Sequence, residues 1–216
     1  MELTGQVTAG QVATTKFQIG GRLAAVRCQP GGTVTKGQLL AALDRTELQA
    51  YLDRALKQYD LERAEFDEKQ KQNPAEYDRR RAQDALDITV KNVEIAKANL
   101  DATQLDAPIG GVVVAMDNLP AGTNITPAGF VISLVDPTGL FFQAALPQQS
   151  LTKVKVGQKV KVSLRAFPGQ TWAAKVTRVA FAAAKDNTFA VDIVFDKLPA
   201  DLRLGLTGKA ILSGGK

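Results

Sequence analysis

The sequence has no histidine, one cysteine and two methionines among its 216 residues. Histidine is the commonest general base and metal ligand, so its absence removes both uses. The single cysteine, Cys28, excludes an intrachain disulfide, and its place in a strand-like pattern indicates a small buried hydrophobe. So few soft ligands make a soft-metal cluster unexpected. We therefore expect no cofactor, no metal site and no enzyme activity.

Long apolar runs are also missing. No stretch of 18 or more apolar residues occurs, and no basic-then-apolar leader precedes Glu2. We therefore expect a signal or membrane anchor, where the native protein has one, to lie outside this chain.

The formal net charge of +5 is unevenly distributed. Residues 44–105 carry 11 basic and 14 acidic side chains, so the rest of the chain is strongly basic. A basic body suits an anionic membrane surface or an acidic partner. Nucleic-acid binding adds interleaved aromatics and a recognisable module, and neither is visible, so we expect no nucleic-acid partner. Solvated strand faces account for most of this charge.

A sequence repeat is split in two by a long helical insertion. The segment from Gly20 to Asp44 returns as the segment from Gly110 to Asp136. The matched pairs are Gly20 and Gly110, Gly21 and Gly111, Pro30 and Pro120, Gly32 and Gly122, Thr33 and Thr123, and, after a two-residue insertion, Gly37 and Gly129, and Asp44 and Asp136. Neither half can bury its apolar face alone, so the halves are predicted to pair into one small sandwich.

The insertion follows a heptad period. In its first half Leu52, Tyr59 and Phe66 form one row and Leu48 and Ala55 another. In its second half the rows are Leu86, Val93 and Leu100, and Ala82, Thr89, Ala96 and Thr103. Rows spaced three and four apart give the narrow seam of an antiparallel two-helix coiled coil. The arm is predicted to reach about 40 Å.

Capping signals mark the ends of the two helices. Thr46 with Gln49 reads as a capping box, although Asp44 with Glu47 has the same spacing. Asn73 followed by Pro74 and Glu76 predicts an N-cap, a proline at the first helical position and a second capping box. The tip is thus placed near Gln72 and Asn73, and Pro108 limits the second helix.

A second β-domain is predicted after Asp136. The run VKVGQKVKVSL places Val160, Val162 and Leu164 on one face and Lys159 and Lys161 on the other. Further strands are predicted in TWAAKVTRV, TFAVDIVF and TGKAIL, with a turn at Pro168-Gly169. We expect a small antiparallel barrel that the N-terminal strand, Leu3 to Thr8, completes.

This order of modules resembles the periplasmic adaptor proteins, or membrane fusion proteins, of the HlyD type. The resemblance rests on GGRLAAVRCQPGGTVTKGQLLAALDRTEL, LDAPIGGVV, FPGQTWAAKVTRV and LRLGLTGKAIL, and it covers nearly the whole chain. It implies a mainly β chain with an inserted α-helical hairpin. The expected modules are a lipoyl-like barrel-sandwich hybrid in two halves, 13–45 and 106–137, an antiparallel coiled-coil hairpin, 46–105, and a small β-barrel, 1–12 with 138–213.

The resemblance also implies a function. Such adaptors are non-catalytic, lie in the periplasm anchored to the inner membrane, and join an inner-membrane transporter to an outer-membrane channel for efflux or secretion. They act as rings, commonly hexamers. Lysines 153, 155, 159 and 161 offer contacts for an acidic neighbour in such a ring. Channel contact is expected at the hairpin tip, from Lys69, Lys71, Asn73, Glu76, Tyr77 and Arg80.

Three other functions are open from the residues alone. A lipoyl or biotinyl carrier needs an exposed lysine at the turn that Asp44-Arg45-Thr46 occupies here. An enzyme would need a site, and paired carboxylates such as Asp84 with Asp87 lie on solvated helix faces. A non-transport coiled-coil scaffold differs from an adaptor only in its partners.

Overall fold

The computed structural model describes residues 1–184, 187–199 and 201–212. The chain divides into two compact units, Ala13–Leu134 and the segments that flank it on either side. The last residue of the predicted barrel range, residue 213, lies outside the described residues. None of the described helices is long and apolar enough to cross a membrane.

The elements follow each other as the sequence predicts. The first strands are β1 (Glu2–Ala9), β2 (Val12–Lys16), β3 (Gly21–Val26), β4 (Thr33–Val34) and β5 (Leu39–Leu43). The helices α1 (Thr46–Lys71) and α2 (Glu76–Asp101) come next. The remaining strands are β6 (Gln104–Asp106), β7 (Gly111–Met116), β8 (Asn124–Ile125), β9 (Val131–Val135), β10 (Leu140–Pro147), β11 (Lys159–Leu164), β12 (Trp172–Ala183), β13 (Thr188–Phe195) and β14 (Thr207–Leu212). Short 3₁₀ turns lie at Pro137–Gly139 and Gln148–Lys153.

The two repeat halves form a sandwich of two four-stranded sheets, β2-β9-β7-β4 and β6-β5-β3-β8. The shortest strand of each half pairs with a strand of the other half. In β4, Thr33 pairs with Val112 of β7, and in β8, Asn124 pairs with Arg22 of β3. Phe17 and Phe130 meet in the core with ring centroids 6.1 Å apart. The prediction that the halves complete one another is confirmed.

The alignment of the two halves differs from the letter match. The amide of Gly31 bonds across to the second half, as the amide of Gly122 bonds to the first, at 2.8 and 2.7 Å. Gly37, with φ of 79°, is matched by Ala128, with φ of 60°, instead of Gly129. Matching Gly32 with Gly122 was therefore wrong. The second half therefore has two separate single-residue insertions. The turn conformation is retained at these positions even where the residue type differs.

Six antiparallel strands close the barrel in the order β1-β10-β13-β12-β11-β14, with β14 returning to β1. Val160, Val162 and Leu164 are buried inside, and Lys159 and Lys161 point outward, as the alternation predicts. The N-terminal strand does complete the barrel. The mainly β fold with an inserted helical hairpin is confirmed.

Close strand approach requires glycine at two paired positions in the barrel. Gly5 and Gly208 lie opposite each other in β1 and β14. A Cβ atom would lie 2.1 Å from the carbonyl oxygen of Gln143 at the first position and 2.2 Å from that of Ser163 at the second. Any larger residue would force the strands apart, so both glycines fix the barrel's curvature.

Candidate functional site

The seam of the hairpin matches the predicted heptad rows. Leu52, Tyr59 and Phe66 are half-buried along α1, which has no fully buried residue. In α2 the buried residues are Ala82, Thr89, Ala96 and Leu100. The Thr89 hydroxyl donates to the carbonyl oxygen of Leu86 at 2.7 Å, which satisfies its polar atom inside the seam. The predicted coiled-coil arm is therefore present, with a shallow core.

The base of the hairpin is fixed by an aspartate instead of a capping box. The carboxylate of Asp44 accepts hydrogen bonds from the amide and the hydroxyl of Thr46, at 3.0 and 2.7 Å. Arg45 is the N-cap residue and makes no side-chain capping bond. The predicted Thr46–Gln49 capping box is wrong, because Thr46 is already helical and the amide of Gln49 donates to the carbonyl oxygen of Arg45 at 2.8 Å instead of to the Thr46 hydroxyl.

The same device recurs in the second repeat half. Asp136 accepts hydrogen bonds from the hydroxyl and amide of Thr138 at 2.7 and 2.8 Å. In each case the hydrogen bonds favour the charged carboxylate. The amide and then the hydroxyl of Thr46 lower the pKa of Asp44, and the hydroxyl and then the amide of Thr138 lower the pKa of Asp136. Asp44 is exposed and Asp136 is half-buried.

The tip is a short turn between the helices. The amide of Gln72 donates to the carbonyl oxygen of Lys69 at 3.1 Å. Asn73 then adopts φ of 50°, a left-handed conformation that asparagine tolerates better than most residues. Ala75, not Asn73, is the N-cap of α2, and it makes no side-chain capping bond. Glu76 pairs instead with Arg79 one turn along, so the second predicted capping box is also wrong.

All six predicted tip residues are exposed. They lie in the last turn of α1, in the connecting turn, or in the first two turns of α2. Lys69 and Lys71 occupy the last turn of α1, and Lys69 is 3.8 Å from Glu65. Tyr77, in the first turn of α2, is 74% exposed although it is a large aromatic residue. Arg80 follows it. Lys69 also lines a cleft between the helices with Gln72, Asp78 and Arg81.

The tip and the shaft of the hairpin carry opposite charge. Residues 69–81 contain five basic and two acidic side chains, whereas the rest of the two helices contains five basic and eleven acidic ones. Arg79 and Arg81 belong to this basic tip and are not among the six predicted contact residues. Counting charge by position along the hairpin, instead of over the whole arm, would have found them.

One side of the shaft is an open groove between the helices. Tyr51, 63% exposed, and Ile95, 60% exposed, flank it, and Arg54 and Asn92 also line it. Leu61 lies seven residues after Arg54 and is 63% exposed. Ile88 lies seven residues before Ile95 and is 62% exposed. Residues seven apart share a helix side, so four large apolar side chains face solvent along this groove side.

The opposite side of the shaft carries carboxylates. An acidic residue follows each member of the Leu52 row on α1 and of the Leu86 row on α2, and these are Asp53, Asp60 and Asp67 on α1 and Asp87, Glu94 and Asp101 on α2. All six are exposed. On the groove side, Tyr51, Ile88 and Ile95 each come one residue before a seam residue. On the acidic side, the carboxylates come one residue after a seam residue. Both sides of the shaft therefore have a signal in the sequence.

Two family models match the chain. Residues 6–130 match the model described as "RND MFP, barrel-sandwich hybrid domain". Residues 140–216 match the model described as "CusB-like, beta-barrel domain". The first of these covers more than half of the chain.

Individual relatives agree with the family models. The chain is 27% identical over 217 residues to an uncharacterised protein of Haemophilus influenzae, covering 98% of this chain. It is 26% identical over 201 residues to the macrolide export protein MacA of Yersinia pestis, covering 77% of this chain. The chain spans 54% of the length of each of these two relatives.

A solved structure has the same fold. A MacA-MexA chimeric protein that contains the Pseudomonas aeruginosa MexA alpha-hairpin domain superposes with a TM-score of 0.90 at 21% identity. The match covers 100% of this chain and 79% of the chimera. With the sandwich, the hairpin and the barrel all accounted for, the chain belongs to the RND membrane fusion protein family.

Proposed function

We propose that the chain is the non-catalytic core of a periplasmic adaptor, anchored to the inner membrane in its native form, that joins an inner-membrane transporter to an outer-membrane channel for efflux or secretion. The observation that carries the proposal is the hairpin. Two helices of 26 residues each span about 39 Å and end in an exposed, basic tip. The similarity to a macrolide export protein supports a role in export.

The hairpin tip is the proposed channel-docking surface. Its exposed Tyr77 offers a large amphipathic contact, and aromatic residues are enriched at protein interfaces. Lys69 and Lys71 in the last turn of α1 and Arg80 in α2 add positive charge to the tip. The proposed partner surface is therefore acidic, and its attraction to the tip steers the approach.

The two sides of the shaft support ring assembly, for which the family resemblance suggests a hexamer. The groove side presents apolar side chains with Arg54, and the other side presents carboxylates. Leu56, 41% exposed on the acidic side, lies at the same height along the hairpin as the Tyr51–Ile95 groove. A second copy can thus place its acidic side against the groove of the first. Such a contact joins two different surfaces, and repeating it around a rotation axis gives a closed ring.

Two alternative functions find less support. A lipoyl or biotinyl carrier needs a lysine at the turn between the repeat halves, but here Asp44 and Thr46 order that position into a helix start. A non-transport scaffold would have the same fold and different partners, so only recovery of those partners separates it from an adaptor.

The first experiment is an affinity purification of the full-length native protein from gently solubilised membranes, followed by mass spectrometry. We expect an inner-membrane transporter and an outer-membrane channel. Recovery of soluble enzymes only, or of a lysine-modified protein, would contradict the proposal in favour of a scaffold or a carrier.

Photocrosslinking in cells then tests the tip. A photoreactive amino acid replacing Tyr77 should capture the channel, and the same amino acid replacing Ile88 should capture a second copy of the chain. Both positions are exposed, so labelling efficiency is matched. Channel capture from Ile88 and none from Tyr77 would place docking on the shaft and contradict the tip assignment.

A further inference from the structure

One end of the β-barrel combines protruding apolar side chains with lysines. The strands there are β11 at its start, β12 at its end and β13 at its start, which antiparallel pairing brings to the same end. The turn before β11 and the 3₁₀ turn Gln148–Lys153 lie at this end too. We call this set of residues the lysine end: Leu151, Lys153, Lys155, Val156, Lys159, Lys175 and Phe181.

Phe181 is wholly exposed, at 104% of its reference area. It lies in a bulge of β12, because Val179 pairs with Val191 and Ala183 pairs with Phe189. Three β12 residues therefore stand opposite one residue of β13. Bulges redirect side chains, and this one turns an aromatic ring away from the protein. Nothing in the barrel's own packing requires a phenylalanine there.

Val156 is presented by a tight turn. The amide of Gln158 donates to the carbonyl oxygen of Lys155 at 3.2 Å, and the Gln158 side chain accepts from the amide of Lys155 at 3.2 Å. Gly157 supplies the left-handed conformation, with φ of 90°. Val156, at the apex, is 65% exposed. The turn thus holds an aliphatic side chain outward in an ordered position.

The lysines around these apolar residues have no acidic partner among the described residues. Lys159 and Lys175 lie directly opposite each other in β11 and β12. Like charges in that register repel. The described ion pairs of the barrel are Arg178 with Asp192 and Lys209 with Glu2, and they leave Lys153, Lys155, Lys159 and Lys175 without a counter-charge.

We propose that the lysine end docks on the surface of an anionic phospholipid bilayer, with Phe181 and Val156 entering the headgroup region and the lysines contacting lipid phosphates. Lysines beside aromatic and aliphatic side chains are the composition of peripheral membrane binding. Protein interfaces are depleted in lysine, and the lysine end carries four lysines. An anionic layer also relieves the repulsion between Lys159 and Lys175.

The test is co-sedimentation of the chain with vesicles of phosphatidylcholine alone and of phosphatidylcholine mixed with phosphatidylglycerol. Binding is expected only to the mixed vesicles and should weaken as salt screens the lysines. Removing two charges with Lys155→Gln and Lys159→Gln should weaken binding about fivefold for each lysine. Phe181→Ser should weaken it about tenfold and leave its salt dependence in place.

Matched controls lie on the hairpin. Lys57→Gln with Lys97→Gln removes the same charge, and Ile88→Ser removes another exposed apolar side chain. Both variants should bind as the unaltered chain does. Failure of the unaltered chain to bind mixed vesicles, or equal losses in the control variants, would overturn the proposal. A second outcome would also overturn it: the unaltered chain does not bind vesicles but binds a purified protein partner, and a lysine-end variant fails to bind that partner. The surface would then be a protein interface. The assay contains lipid alone, so its failure leaves the adaptor role untouched.

Discussion

The barrel and the hairpin reach stability by different means. Phe142, Val162 and Ile193 in the barrel have no solvent exposure at all, whereas α1 has no buried residue and α2 has four. Burial of apolar area is the main source of folding free energy, so the barrel holds itself together and the hairpin depends on a thin seam. Local pairs such as Lys91 with Glu94, 2.8 Å apart, are solvent-exposed and add little to the stability of the hairpin.

That difference bears on function. A hairpin that needs few residues for its own fold can devote its remaining surface to partners. Its two sides and its tip are accordingly distinct in chemistry: apolar at the Tyr51–Ile95 groove, acidic on the far side, and basic around Tyr77. The barrel shows a comparable specialisation at the lysine end.

The largest effect is expected where burial is complete. Phe142→Ala removes a fully buried ring from the barrel and should lower the free energy of unfolding by about 4 kcal/mol, through lost burial and the cavity left behind. Chemical denaturation measures it. Phe181→Ala is the matched control, since that ring is fully exposed and its loss should change stability by less than about 0.5 kcal/mol. Equal losses would mean that the Phe181 ring is packed.

Backbone closeness in the barrel is tested at Gly5. Gly5→Ala places a methyl group against the carbonyl of Gln143 and should cost about 3 kcal/mol by forcing β1 and β10 apart. Gly139→Ala is the control, because a Cβ there meets nothing within 4 Å. A stable Gly5→Ala variant with unchanged denaturation would show that the barrel relaxes more easily than its close packing suggests.

Much of the fold could be predicted from the sequence, because periodicity is a global signal. The heptad rows from Leu52 to Phe66 and the alternation from Lys159 to Leu164 each repeat often enough to override local exceptions. The resemblance to membrane fusion proteins is confirmed, although the matching models describe the RND type and not the HlyD type. The tip residues such as Tyr77 stay a prediction.

Local features were harder to predict. Both capping boxes failed because several hydrogen-bonding side chains compete within a few residues, and Asp44 and Glu76 found other partners than the pattern assigns. The bulge that exposes Phe181 depends on the strand register of β12 against β13, which no single strand encodes. Features set by a pairing between distant segments are not visible in either segment alone.

The hairpin seam buries less apolar surface than the barrel core, and Val93→Asp tests how much stability the seam provides to the helices. A charge placed in the half-buried seam should cost about 2 kcal/mol and unwind the arm, while the barrel and sandwich stay folded. Circular dichroism should show helix loss with retained strand signal. Ile95→Asp, two residues away and 60% exposed, is the control and should keep its helix. Helix retained in Val93→Asp would contradict the coiled-coil seam.

The smallest effect concerns the aspartates at the two repeat ends. The pKa of Asp44 and that of Asp136 are both lowered from the usual 3.8, so their stabilising contribution is present above that pH and is lost as the pH falls through the lower folded value. Urea denaturation from about pH 5 to about pH 2 should therefore lose less stability in an Asp44→Asn, Asp136→Asn variant than in the unaltered chain.

The single variants separate the two regions. Asn keeps an oxygen that accepts from Thr46 but carries no charge, so Asp44→Asn removes the pH dependence without removing the turn. Its effect should appear in the helical signal of the hairpin, and that of Asp136→Asn should not. Asp84→Asn, on the exposed face of α2, controls for the loss of one acidic charge. If all three variants changed the acid transition alike, net charge and not the paired threonine turns would govern it.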